Sequence, residues 1–189
     1  MAKLAINDKM PDFKFDTVYE KGKTVAEVIQ NKKNTIFWVL RYIGCPTCRY
    51  DVHNMSIRYS EFTALDTQIM VVMQSDPAVI RTALEDNKLP FDIICDPKME
   101  IYDRFQISAA ASKEDRLPTT TEEIAKLEKK REQVKAAGFV HGKYEGNEYQ
   151  LPALFVVQQD GTVTYAHYAK NSIDMPTIDD MLKVIKHLS

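Results

Sequence analysis

The residues able to do chemistry lie together in Ile43-Gly44-Cys45-Pro46-Thr47-Cys48-Arg49, between an apolar run at 35–40 and a stretch of helical periodicity. Two cysteines so placed read as a redox-active dithiol. A thiol reacts as its thiolate, and the unpaired N–H groups and positive dipole end of a helix start favour that anion. Pro46 suits the first helical position, because its φ is preset and its missing N–H would have no partner there anyway. Cys48 falls about one turn further on, on the same face and within disulfide reach.

Such a pair has two catalytic uses. Against a hydroperoxide, the Cys45 thiolate attacks the O–O bond and becomes a sulfenic acid, with which Cys48 condenses to a disulfide. Against a substrate disulfide, the same thiolate forms a mixed disulfide that Cys48 releases. Both uses require an external dithiol reductant, such as a thioredoxin-like protein. A non-catalytic sensor or adaptor, whose dithiol oxidises and alters the 107–150 region or a partner surface, is the alternative of a different class. Arg41 and Arg49 flank the motif and are candidates for lowering the thiol pKa or holding a leaving oxygen, the competing role being ordinary solvated charge. Zinc usually takes four ligands, and no second Cys-x-x-Cys or His-x-x-x-His accompanies this one, so neither metal nor cofactor is expected. His53, more than two turns beyond Cys45, and His167 read as packing or surface residues. Cys95 sits in an apolar run, where a free thiol behaves as a small hydrophobe.

The elements that must position the dithiol follow from patterning. The segment 10–17 alternates apolar and polar as a half-buried strand does, and Thr24 with Glu27 forms a capping box ahead of a short helix. The segment 35–40 lacks polar alternation, as a central strand covered on both faces would. A helical pattern then runs from Pro46 through Val52, Met55, Ile57, Tyr59 and Phe62 to Leu65. Strands are expected at 68–73 and 91–95, each stopped by an Asp-Pro pair and followed by a helix. Between 107 and 150 the alternation lapses: 113–118 reads as an exposed connection and 121–137 as a solvated helix with a narrow stripe through Ile124, Leu127 and Val134. Asp160-Gly161 between two β-rich runs marks a hairpin, and a helix opened by Pro176-Thr177 closes the chain. The fold class is α/β, a central mixed sheet with helices on both faces and a helical insertion at about 107–150.

The chain has 189 residues, 44% of them hydrophobic, which fits one domain spanning 1–189. A net charge of -2 without a long basic run argues against nucleic acid as a partner. No apolar stretch approaches the roughly 20 residues that cross a bilayer, so no membrane span is expected. Residues 1–10 mix Lys3, Asp8 and Lys9 among apolar positions, unlike a signal peptide, and a cytoplasmic location is expected.

The order of strand, Cys-x-x-Cys at a helix start, Leu-Pro before a late strand, Asp-Gly hairpin and terminal helix resembles the thioredoxin superfamily. Within it, Met10-Pro11-Asp12-Phe13 and Cys45-Pro46-Thr47 resemble the entry and peroxidatic motifs of the peroxiredoxin-like branch, the alkyl hydroperoxide reductase/thiol-specific antioxidant family. The resemblance covers nearly the whole chain. It implies a thioredoxin-like fold, hydroperoxide reduction at Cys45, and a proline at 152 that is cis and lies against the dithiol, where it helps bind substrate. Where that family has Pro-x-x-x-Thr/Ser-x-x-Cys, this chain has Trp38 and Tyr42, so the Tyr42 hydroxyl stands in for the usual one. Cys48 replaces the family's Glu, which is the thioredoxin dithiol pattern, and the family's second active-site Arg has no evident match.

Overall fold

The computed structural model describes residues 3–85 and 87–188. Its centre is β3 (Asn34–Val39), every residue of which is buried. Before it come β1 (Lys14–Thr17), β2 (Lys23–Thr24) and α1 (Val25–Val28). After it come α2 (Pro46–Ile57), α3 (Tyr59–Thr63), β4 (Thr67–Met73), α4 (Pro77–Ala83), β5 (Asp92–Cys95) and α5 (Glu100–Arg104). The chain closes with α6 (Thr121–Ala136), β6 (Ala153–Gln158), β7 (Val163–Tyr168) and α7 (Ile178–Leu188). The strands form one seven-stranded sheet of order β2-β1-β5-β4-β3-β6-β7. It is mixed: β3, β4 and β5 run parallel, while β1, β6 and β7 pair antiparallel to their neighbours.

Because successive side chains of a strand point to opposite faces, β3 feeds two cores. Ile36 and Trp38 pack with Val52 and Met55 of α2, Ile80 of α4 and Met181 and Ile185 of α7. Phe37 and Val39 pack on the other face with Val25 and Val28 of α1 and Ile101 and Tyr102 of α5. The mixed sheet with helices on both faces is thus the expected architecture. The capping box is present, with Thr24 accepting from the Glu27 N–H and Glu27 accepting from the Thr24 N–H. The hairpin turns at Gly161, whose φ of +83° is the left-handed conformation that glycine adopts without a Cβ penalty.

Three expectations change. The helical pattern from Pro46 to Leu65 is two helices, because the backbone leaves helical geometry at Arg58 (φ −108°, ψ 8°). That break spends Arg58 on Glu61 and Asp179, tying α3 and α7 together. The connection at 113–118 is not wholly exposed, since Arg116 and Leu117 are half-buried and Pro118 is buried. In α6, Leu127 and Val134 are buried but Ile124 is 40% exposed, so the apolar stripe is shorter than the spacing implies.

Candidate active site

β3 delivers the chain to a tight loop, and the dithiol starts the helix beyond it. The loop is held from below: Tyr102, wholly buried, donates its hydroxyl hydrogen to the Leu40 carbonyl at 2.5 Å, and the Gln74 N–H reaches the Arg41 carbonyl at 2.8 Å. The Ile43 N–H donates to Ser75 Oγ at 2.8 Å, and Ser75 in turn donates to Glu145 at 2.8 Å. From above, the segment 139–148 lies across the loop as a strap. The Gly142 N–H donates to the Gly44 carbonyl at 2.8 Å, and a Cβ on Gly44 would sit 1.9 Å from the Lys143 carbonyl oxygen. Only glycine admits so close an approach of two backbones.

Cys45 is the N-cap of α2, in extended conformation, with Pro46 in the first helical turn. Its sulfur accepts from Arg41 Nη2 at 2.8 Å and from the Cys48 N–H at 3.4 Å, and lies 3.0 Å from Thr47 Oγ1. A hydrogen bond from the Cys48 thiol, the Arg41 charge and the Thr47 hydroxyl together outweigh burial and bring the Cys45 thiol down to about 5. At pH 7 such a thiol is roughly 99% thiolate, against about 1% for one titrating near 9. Cys48 moves the opposite way, raised by donating to Cys45 and by burial. One sulfur is poised as nucleophile and the other is kept protonated. Both are free thiols and both are buried, with 1% and 5% exposure.

Arg41 is itself positioned by the strap, its Nη1 donating to the Glu148 carbonyl at 2.7 Å. Arg49 is placed elsewhere: its guanidinium donates to the Ala83 carbonyl at 3.1 Å and stacks over Phe139 at 5.5 Å. One turn of helix carries it away from the loop that Arg41 belongs to. The Tyr42 hydroxyl bonds His141 Nε2 at 3.2 Å, and burial pushes its pKa up to about 12. That hydroxyl is therefore engaged by the strap. Pro152 lines the same cleft as Cys48 and Arg41, but no described peptide bond is cis, so the cis bond implied by the resemblance is replaced by trans. The Leu151 N–H bonds the Ser108 carbonyl and the Pro152 carbonyl accepts from Ala169 on the far side, so both flanks are fixed. Trans is also the isomer that X–Pro bonds favour by about 0.5–1 kcal/mol.

His53 packs against Phe139 with ring centroids 5.7 Å apart, and His167 Nε2 bonds the Asp174 carbonyl at 2.7 Å, both as packing residues. Cys95 is buried in β5, its thiol pushed up to about 12 by burial. Among the described residues no cluster of three or more His, Cys, Asp or Glu has the arrangement of a metal site. No helix among them is long and apolar enough to cross a membrane.

Sequence reasoning left out four contributors. Thr47 bonds the Cys45 sulfur, a role implicit in its place two residues on. Lys130 of α6 reaches Asp51 of α2 at 2.8 Å, and its position between Leu127 and Val134 on the buried face was the available signal. Asp51 falls three residues after Cys48, on the same helix face. Arg116, from the connection read as exposed, lines the cleft beside the dithiol, and nothing local in the sequence marks it.

A mixed α/β sheet delivering an activated dithiol to the start of a helix defines a thiol-dependent redox protein with a thioredoxin-like fold. The family model of the AhpC/TSA family matches residues 6–166, and the chain belongs to that family. It is a peroxiredoxin-like thiol peroxidase in class. The fold is shared with a yeast mitochondrial 1-Cys peroxiredoxin (TM-score 0.69, 14% identity, covering 98% of this chain and 76% of the other), described for thiol resolution via glutathione/thioredoxin systems. It is shared also with a cysteine-to-serine mutant of the peroxiredoxin 6 of Arenicola marina (TM-score 0.72, 12% identity, covering 98% and 73%). Peroxidoxin BcpB from Mycobacterium tuberculosis superposes at TM-score 0.68 with 11% identity, covering 97% of each chain. No curated protein sequence matches significantly.

Proposed function

We propose that the protein reduces hydroperoxides at Cys45, with Cys48 as the resolving thiol. The Cys45 thiolate attacks the terminal oxygen of the hydroperoxide. The S–O bond forms, the O–O bond breaks, and the departing alkoxide or hydroxide takes a proton from solvent. Arg41 donates to the sulfur, so its charge stands beside the attacking atom and the S–O bond that forms there. Cys48 then attacks the sulfenic sulfur, an S–S bond forms, and hydroxide leaves with the Cys48 proton as water.

The observation that carries this reading is the burial of the two sulfurs, 1% and 5% exposed, around an ionised Cys45. A peroxide is small enough to reach such a sulfur, whereas a polypeptide disulfide is not. Exchange with protein disulfides is the weaker use, because both sulfurs lie below the surface that an extended polypeptide would meet. The test is stopped-flow mixing of reduced protein with hydrogen peroxide, read by Trp38, which lines the cleft with Cys48. Saturable turnover with a dithiol reductant, lost in Cys45→Ser, is expected. A reaction no faster than that of a free thiol rejects the peroxidase, and oxidation without turnover under any reductant supports the sensor. We propose a cytoplasmic location, because three cysteines, two of them in one Cys-x-x-Cys pair, make no disulfide framework of the kind secreted domains carry.

A further inference from the structure

A cleft of about 720 Å³ runs from the dithiol between α2, α6 and the segment before α7. Of the two sulfurs, Cys48 lines it and Cys45 does not. Trp38, Leu40, Met55, Met175 and Pro176 give it an apolar wall. The five carboxylates that line it already have partners within the protein. Asp51 is held by Lys130, Glu123 by Asn171 and Thr120, Asp174 by the Lys170 N–H, Asp179 by Arg58, and Asp180 by Thr177.

Two groups on the wall stand apart. Arg116 Nε and Ser172 Oγ are buried and have no hydrogen-bond partner, although their residues are joined by a 2.8 Å bond from the Ser172 N–H to the Arg116 carbonyl. A guanidinium only donates, and a hydroxyl donates as readily as it accepts. An anionic acceptor suits either group, and a planar carboxylate matches the guanidinium best.

We propose that this cleft binds a low-molecular-weight thiol bearing a carboxylate, with the carboxylate at Arg116 and Ser172, and that the thiol reduces the Cys45–Cys48 disulfide by attacking Cys48. The inference rests on the dithiol cycle proposed above and names its reductant and the point of attack. A cleft of this size takes a thiol as large as a tripeptide, while the burial of both sulfurs keeps a folded reductant out. In the first step the incoming thiolate forms a bond to the Cys48 sulfur, the Cys45–Cys48 bond breaks, and its electron pair leaves on Cys45. That leaving thiolate is the one Arg41 and Thr47 already hold, and the better-stabilised thiolate departs faster. In the second step another thiol attacks the ligand sulfur, and Cys48 leaves and takes a proton from solvent. Two thiols are oxidised to one disulfide and the protein regains two thiols.

The experiment starts from protein oxidised with diamide, so that its result is independent of whether Cys45 reduces peroxide. The disulfide is reduced with 3-mercaptopropionate or with 2-mercaptoethanol, which differ in the carboxylate, and N-ethylmaleimide traps the product for peptide mass analysis. The expected product carries the small thiol on Cys48 and maleimide on Cys45. The ratio of the mercaptopropionate rate to the mercaptoethanol rate should fall on the order of tenfold in Arg116→Gln, and in the same direction by less in Ser172→Ala, a truncation too mild to unfold the chain. A mixed disulfide on Cys45, or a ratio that neither substitution changes, overturns the proposal. Faster reduction by a folded dithiol protein than by saturating mercaptopropionate also overturns it.

Discussion

The Arg41 guanidinium lies 2.8 Å from the Cys45 sulfur and is held there by a carbonyl, that of Glu148, from 107 residues further along the chain. The nucleophile is therefore set by a local motif, but its activator is aimed by the insertion. This has a measurable consequence in pH. Cys45 is lowered from 9.0 to about 5 by the Cys48 thiol, Arg41 and Thr47, so its thiolate is lost only as pH falls through about 5. The peroxide reaction should be nearly flat from about pH 6 to 8, decline below about pH 6 and fall to half near pH 5. Cys48→Ala and Arg41→Ala should each move that inflection upward, as read by thiolate absorbance near 240 nm. The same shift makes the reduced fold depend on pH. A thiol lowered on folding adds stability that is complete above pH 9 and disappears as pH falls toward 5, so urea midpoints of Cys45→Ser should vary less across that window than those of the parent.

Gly44 and Gly142 provide the second test. The strap crosses the loop so closely that Gly44→Ala places a methyl 1.9 Å from a carbonyl oxygen, and backbone must move to relieve it. Overpacking of this kind costs about 1–3 kcal/mol. The strap should lift, which limited proteolysis within 139–148 would detect as faster cleavage. Because Arg41 loses its Glu148 carbonyl with it, the thiolate inflection should rise as well.

Lys130 and Asp51 pair at 2.8 Å with side chains 23% and 27% exposed, so water screens them in part. Lys130→Met leaves the Asp51 carboxylate, already pushed up by burial, without its cation. A loss of about 1–3 kcal/mol is expected in urea unfolding, less than the full penalty of a wholly buried pair. The double change Asp51→Leu with Lys130→Met should recover most of it. If the double variant is less stable than Lys130→Met, the pair is not an electrostatic unit.

Most of the fold was legible because its signals are local: β3 from Ile36 and β4 from Ile69 run on without polar alternation, Asp76-Pro77 starts a helix, and Asp160-Gly161 turns a hairpin. The dithiol was legible for the same reason, since cap, proline and second thiol lie within four residues. What sequence alone did not yield depends on contacts across the chain. Arg41 and Arg49 are equivalent as flanking charges, and only the strap's Glu148 carbonyl and the Ala83 carbonyl separate their roles. Arg116 sits in a charged, proline-bearing segment that reads as solvent-facing. Ser172, 56 residues further on, bonds its carbonyl and lines the same cleft, a long-range relationship that no local pattern records.

Cys95 offers the sharpest contrast with Cys45. Both are buried, yet at Cys95 burial and the neighbouring charges of Asp76 and Asp16 outweigh the charge of Arg81 and push the thiol up to about 12. Its thiol donates weakly to the Ile93 carbonyl at 3.8 Å and is inert at neutral pH. Iodoacetamide at pH 7 should therefore label Cys45 first and leave Cys95 unmodified until the protein unfolds. Cys95→Ala should leave peroxide turnover within twofold of the parent and cost about 1 kcal/mol for the small cavity. Labelling of Cys95 in the native protein at a rate matching Cys45, or loss of turnover in Cys95→Ala, would show that β5 carries a second working thiol.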